Sequence, residues 1–290
     1  DLTTEERIPV TSIRRGLLLT VLLAMPLLAQ DEAPTASPWT HQLVGDVTAN
    51  QVALKDWAAG GDDAFAWGFS FNGTSERNTE GTVWATAYKL AFGQNKLGDQ
   101  DIRKTVDRVE VETALTMKFD YIVNPYVKAT MKTQAFRGHI YDGDLKTAVS
   151  DLFDPVYFTE SAGAAMKVNE QVATRLGAAL REIITRDFNG YSDDEATAKI
   201  EKTRWDGGLE SVTDVNWALA ENILFTSKLE IFVPLNEVGD RSIGNDATLT
   251  VKLSDHINLN VNLQLLDDPT ASEELQLKQT TAFGLSYSLF

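Results

Sequence analysis

The sequence contains no cysteine. Disulfides, thiolate metal sites and a lipid-modified N-terminal cysteine are therefore excluded. Histidine is scarce as well: His41, His139 and His256 are scattered, so neither a histidine-rich metal centre nor any cofactor is expected. Positive charge is in deficit, with 26 Lys and Arg against 42 Asp and Glu and a net charge of −16. That balance argues against nucleic acid as a partner, because phosphate binding needs clustered bases. No internal apolar run reaches the roughly 18 residues of a membrane-spanning helix. Mean hydropathy is −0.19 and hydrophobic content an ordinary 43%. None of this excludes a β-barrel, whose spanning strands are each half polar.

The N-terminal region reads as a processing segment. Arg14-Arg15 precede GLLLTVLLAMPLLA, which ends in a small residue. A basic start, a short apolar core and a small residue before the cut describe a secretory signal. Cleavage is expected after Ala29, giving a mature start at Gln30. Residues 1–12 lie upstream of the basic pair and look like over-extended translation. The expected organisation is 1–29 as extension plus signal, 30–38 as linker and 39–290 as one β domain.

From residue 39 onward the chain alternates. In HINLNVNLQL, Ile257, Leu259, Val261, Leu263 and Leu265 oppose Asn258, Asn260, Asn262 and Gln264. Successive side chains of a strand point to opposite faces. One face is thus wholly aliphatic and the other wholly amide. Twelve such segments are expected, at 39–54, 64–75, 82–93, 107–121, 124–137, 156–168, 171–184, 203–217, 221–234, 246–254, 256–267 and 275–290. Most are longer than the 5–6 residues typical of globular strands. They match the roughly 9–11 residues of a tilted membrane strand.

The connections alternate in length. Long ones at 138–155, 185–202, 235–245 and 268–274 interleave with tight ones at 122–123, 169–170, 218–220 and 254–256. The 76–81 connection, ERNTEG, fits the short class least well. Outer-membrane barrels have short periplasmic turns, longer outer loops and an even strand count. Trp57, Trp67, Trp84, Trp205, Trp217, Tyr88, Tyr121, Tyr126 and Tyr287 lie mostly near strand ends, as interfacial girdles require. The chain ends GLSYSLF, a terminal strand of the kind that the outer-membrane assembly machinery takes as substrate. The expectation is an all-β, antiparallel transmembrane barrel of about twelve strands. Both termini would be periplasmic, and the barrel would sit in outer-membrane lipid of a Gram-negative-type bacterium. A soluble barrel or sandwich burying the aliphatic face is the alternative.

DWAAGGDDAFAW (56–67), IRKTVDRVEVET (102–113) and TQAFRGH (133–139) together resemble an uncharacterised family of outer-membrane β-barrels from Bacteroidetes-type bacteria. The family pattern runs Asn-Trp-Ala-x-Gly-Gly, then Lys-Thr-Asp-Asp, then Thr-Gln-Phe. Here Asp56 replaces the Asn, Lys104-Thr105-Val106-Asp107 loses one acid, and Ala135 intervenes between Gln134 and Phe136. The resemblance implies fold and location and no activity. It singles out Trp57, Gly60, Gly61, Lys104, Thr105 and Asp107 as motif-loop candidates at one rim.

Enzyme chemistry has little to stand on. No histidine is closely followed by Ser-Asn-Gly, as a lipase barrel would need. Asp62-Asp63 with His139 is a weak basis for an acidic protease site. Asp193-Asp194-Glu195 offers carboxylates for Ca²⁺ but lacks EF-hand spacing, and a hydrated acidic loop is the simpler reading.

The lumen is the better candidate. Alternation projects Lys89, Arg108, Lys118, Lys128, Lys132, Arg175, Arg181, Lys228, Lys252 and Lys278 inward, with Glu110, Glu112, Asp206, Glu210, Asp214 and Glu230. A basic lumen favours anionic small solutes. Cross-strand salt bridges filling a small barrel are the competing expectation. The leading functional expectation is a narrow porin-like channel. A non-conducting structural or interaction barrel with long surface loops comes second, and an outer-membrane hydrolase third.

Overall fold

A computed structural model describes residues 37–54, 62–119, 121–143, 145–194, 196–236, 238–269 and 274–288. The expected signal segment, most of the expected linker and residues 55–61 of the first motif stretch lie outside these residues. The strands are β1 (Trp39–Val52), β2 (Ala64–Asn78), β3 (Thr82–Leu97), β4 (Arg103–Met117), β5 (Val123–Thr133), β6 (Gly138–Asp142), β7 (Leu145–Ser150), β8 (Val156–Lys167), β9 (Val172–Ile184), β10 (Thr203–Ala220), β11 (Ile223–Pro234), β12 (Ser242–Lys252), β13 (Ile257–Asp267) and β14 (Gln276–Ser288). Twelve of them close into one antiparallel barrel, and β6 and β7 form a separate hairpin. Closure is made by β1 and β14, with Val44 opposite Ser288 and Thr48 opposite Gly284. A closed ring leaves no unpaired strand edge.

Each expected segment corresponds to one barrel strand, with shifted ends. β4 starts at Arg103 instead of 107, and β12 at Ser242 instead of 246. The β6–β7 hairpin falls inside what the sequence presents as a plain 138–155 loop. ERNTEG resolves differently from its appearance. β2 continues to Asn78, and only residues 79–81 turn, closed by Thr79 N–H donating to the Thr82 carbonyl at 2.9 Å. The short turns thus share one end of the barrel with both ends of the strand ring.

The distribution of polarity decides which solvent the wall faces. Buried groups include Glu110, Lys128, Thr130, Ser161, Asp206 and Glu210. Exposed groups include Val47, Phe71, Leu90, Leu176, Leu209 and Phe283. Charges inside and apolar side chains outside is the reverse of a soluble protein. It is the arrangement of a transmembrane barrel, with an apolar outer band and a polar interior. In β13, Asn258, Asn260 and Asn262 bond to Ser286, Thr250 and Asp246 across the inner wall. Their neighbours Ile257 and Leu263 are exposed on the outside.

Aromatics flank this band at both ends. Trp39 and Trp84 meet at 5.7 Å near the short turns, with Tyr287 stacked on His256 at the same end. Trp67 and Trp205 are exposed near the long loops. Tyr126 is a correction to the expected girdle. It points inward, is 3% exposed, and its hydroxyl lies over Gly177, where an added Cβ would come within 2.7 Å of it. The missing side chain is what lets the ring fold across the inner wall.

Candidate functional site

The inner charges meet across the barrel. Arg108 on β4 donates from Nη1 to Asp246 on β12 at 2.5 Å. These strands lie six places apart in either direction around the ring of twelve, so the pair spans its diameter. Lys228 on β11 reaches Glu112 on β4 at 2.5 Å, five strands away. Lys128 on β5 bonds Glu210 on β10 at 2.7 Å, with the two side chains 1% and 7% exposed. Lys132 pairs with Glu230, and Arg175 bonds both Glu112 at 3.1 Å and Asp214 at 2.8 Å. Glu110 accepts from Arg108 and lies 3.7 Å from Lys228. Buried charges need such partners, because an isolated one loses several kcal/mol of hydration. Together they form a layer of braces joining opposite walls.

The expected basic excess is not what this layer contains. Lys118 and Lys252 are not in the lumen: each lies at the short-turn rim, Lys118 on Asn78 and the Thr79 carbonyl, Lys252 beside Asp255. Both are the first residues past, or the last residues of, their strands, where alternation no longer dictates direction. Asp246 was missed because its strand begins earlier than the polarity pattern indicates. Asp46, which bonds Ser70 at 3.4 Å, and Arg204, which bonds Asp206 at 2.9 Å, also face inward.

The motif residues have a different task. Lys104 and Asp107 are three apart, and in a regular strand they would point oppositely. A β-bulge opposite Gly93 and Gln94 leaves Thr105 unpaired and turns both to the same side. Lys104 then donates to Asp107 at 2.7 Å, to Gln134 Oε1 at 3.4 Å and to the Phe136 carbonyl at 2.7 Å. Asp107 accepts the backbone N–H groups of Ala135 at 2.9 Å and Phe136 at 2.8 Å. Phe136 packs on Phe92, with ring centres 4.6 Å apart. The Thr105 carbonyl accepts from Lys278 of β14 at 2.9 Å. Two of the three motif stretches thus form a latch that fixes the start of the 134–155 connection. Trp57, Gly60 and Gly61 lie outside the described residues.

A second latch joins that connection to the next one. Asp154 is fully buried and accepts N–H groups from Arg186, Asp187 and Phe188 at 2.9, 2.7 and 3.3 Å. Gln134 donates to the Asp151 carbonyl at 3.2 Å. Outside the strands, a hydrogen bond from Arg137 holds the Asp151 carboxyl below its usual range. That contact persists at neutral pH and is lost as acid protonates the carboxylate.

Between the braces and these loops lies a cavity of about 400 Å³. Tyr157, Thr159, Arg181, Phe232 and Ser242 supply strand walls, and Tyr191 comes from the 185–202 loop. Arg181 sits over the Phe232 ring at 4.1 Å and donates to Ser242 Oγ at 2.8 Å. Two polar atoms of this wall, Thr130 Oγ1 and Glu210 Oε2, are buried without a hydrogen-bond partner.

Other chemistry is incomplete. His41 Nδ1 lies 2.8 Å from Ser75 Oγ on the outer face, a pair that sequence adjacency could not reveal. Ser75 also bonds Tyr88, and His41 stacks on Trp39 at 6.2 Å. His139 meets Tyr141 in the hairpin with tilted rings 6.2 Å apart, away from His41. Asp193 and Asp194 cap the loop itself, accepting the N–H groups of Glu201 and Ala196, both at 2.9 Å. Glu195 lies outside the described residues. Among the described residues, no three His, Asp or Glu side chains converge on a common point.

Two family profiles match different parts of the chain. "Protein of unknown function (DUF3078)" matches residues 49–139, and "Protein of unknown function, DUF481" matches residues 155–289. The first covers the latch motifs and the second the remaining barrel strands. No curated protein matches the sequence. Among solved structures, an outer membrane channel from Pseudomonas putida F1 aligns over 89% of this chain and 99% of its own, with 12% identity and a TM-score of 0.40. The translocator domain of the autotransporter NalP from Neisseria meningitidis aligns over 86% and 87%, with 10% identity and a TM-score of 0.39. The TodX monoaromatic hydrocarbon channel, a deltaS2 mutant, aligns over 86% and 80%, with 8% identity and a TM-score of 0.35. These likenesses concern barrel architecture alone.

Proposed function

We propose that this protein is an outer-membrane β-barrel of a Gram-negative-type bacterium whose lumen is closed at rest, and that it works as an interaction barrel presenting its loop end. Its short turns and both termini lie in the periplasm, and an N-terminal signal exports it. The resemblance to Bacteroidetes-type barrels is consistent with that source. The observation that carries the reading is the Arg108–Asp246 bond across the full ring, with four further braces beside it. Long side chains that meet from opposite walls at hydrogen-bond distance leave little room for a solute at that level.

A narrow passage is the second reading. The short-turn half of the lumen is open, since the inward residues Asn72, Thr74 and Asn216 are exposed there. The brace layer lies between this vestibule and the loop-side cavity. Purified protein in a planar bilayer distinguishes the two. The closed barrel gives no steady conductance. A channel conducts, and its ion preference moves toward cations when Lys128→Glu and Lys132→Glu are combined. Steady wild-type conductance overturns the closed reading.

A further inference from the structure

We propose that the loop-side cavity is a binding site for a neutral, polyhydroxylated ligand the size of about one or two sugar rings. Buried polar atoms are almost always satisfied, so each exception asks for a reason. Here two exceptions share one cavity: Thr130 Oγ1 and Glu210 Oε2, in residues only 5% and 6% exposed. Thr130 can give and accept a hydrogen bond, whereas a carboxylate oxygen accepts alone. A hydroxyl serves both, because it donates and accepts from one atom.

Charge balance selects against an ion. The charged groups lining the cavity are each paired: Lys132 with Glu230, Arg181 with Asp268 at 3.8 Å, Glu210 with Lys128 behind it, and Asp107 with Lys104. An anion or a cation entering would have to break one of these pairs. A neutral polyol leaves them in place and bonds to their unused edges. Tyr157 and Tyr191 add phenol groups to the same wall. With a volume near 400 Å³, the cavity exceeds a water cluster and suits a compact solute. A free saccharide and the sugar headgroup of a surface glycolipid both present this chemistry, and the recognising groups are the same for either.

The site lies on the loop side of the braces, so it stands apart from the closed-lumen reading. Conductance tests that reading and calorimetry this one. Purified full-length mature protein in glycolipid-free detergent is titrated with sucrose, with glucuronate, and with a deacylated glycolipid headgroup oligosaccharide. Sucrose or the oligosaccharide should bind, and whichever does identifies the source. Thr130→Val, nearly isosteric, should weaken binding about fivefold or more, and Tyr157→Phe should weaken it by a smaller factor. Lys252→Ala at the far rim should change nothing. Heat-dependent gel migration and circular dichroism confirm that each variant retains its barrel. No binding of either neutral probe overturns the proposal. So does binding indifferent to both cavity substitutions, and so does glucuronate binding more tightly than the neutral sugars.

Discussion

The barrel has two inner walls of different character. Along β1, β2, β13 and β14 the inward side chains are mostly small groups, hydroxyls and amides, with charges at Asp46 and at Lys278, which reaches the Thr105 carbonyl of β4. The neutral groups bond to the adjacent strand, Asn258 to Ser286 and Asn260 to Thr250, as does Asp46 to Ser70. Along β4, β5, β9, β10 and β11 many inward side chains are long and charged, and five of their bonds leap three to six strands. Both arcs expose apolar side chains on their outer faces, among them Val47, Phe71 and Phe283 on the first and Val127, Leu176 and Leu209 on the second. One arc therefore holds itself together locally, and the other holds the cross-section together. Removing a group should be felt near its own strand in the first case and across the barrel in the second.

The largest effect should come from a brace. Lys128→Ala leaves the Glu210 carboxylate buried without its cation, a change that costs about 3–5 kcal/mol. Asn260→Ala removes one neutral bond to Thr250, costing about 1 kcal/mol. Urea unfolding in lipid vesicles measures both. Replacing both brace partners, Lys128→Met with Glu210→Met, should recover much of the loss, since no unpaired charge remains. Equal sensitivity at Lys128 and Asn260 breaks the distinction between the arcs.

A smaller contrast lies within one strand. Val261 faces outward and Asn260 inward, so Val261→Arg places a charge in hydrocarbon and should cost about 2–4 kcal/mol. Asn260→Arg enters a wet amide wall and should be tolerated far better. The same folding assay reads both variants. If the two substitutions cost the same, the outer wall is not in contact with lipid.

The amide arc was the more legible of the two in the sequence. HINLNVNLQL keeps strict alternation, and every asparagine in it falls on the inner wall. The charged arc was legible residue by residue but not pair by pair. Lys128 and Glu210 are 82 positions apart, and nothing local says which strands will face each other. Asp246 escaped because Asn245 points outward and Gly244 carries no side chain, so polarity does not alternate through the start of β12. The hairpin escaped because its strands, five and six residues long, lack the length that marks the barrel strands. The latch escaped for a geometric reason: a bulge at Thr105 reverses parity, and sequence spacing alone places Lys104 and Asp107 on opposite faces.

The smallest effect is also the sharpest test, because at Asp246 a bond of the amide wall meets the foot of the diametric brace. Asp246 accepts from Arg108 through Oδ2 at 2.5 Å and from Asn262 Nδ2 through Oδ1 at 2.7 Å. Asn262 belongs to the amide arc, yet its partner is the foot of the diametric brace. Losing Asn262 frees that carboxylate to reorient, so Arg108 should feel the loss. Asn258, four residues along the same strand, bonds Ser286 and has no path to Arg108. In double-mutant cycles, Arg108→Ala with Asn262→Ala should therefore show a coupling of about 0.5–1.5 kcal/mol. Arg108→Ala with Asn258→Ala should be additive within about 0.5 kcal/mol. Coupling of similar size in both cycles would mean that the charge layer stiffens the whole ring and that the arcs are one mechanical unit. Coupling in neither would mean that Asp246 is held by the arginine alone and that the amide wall carries no part of the brace.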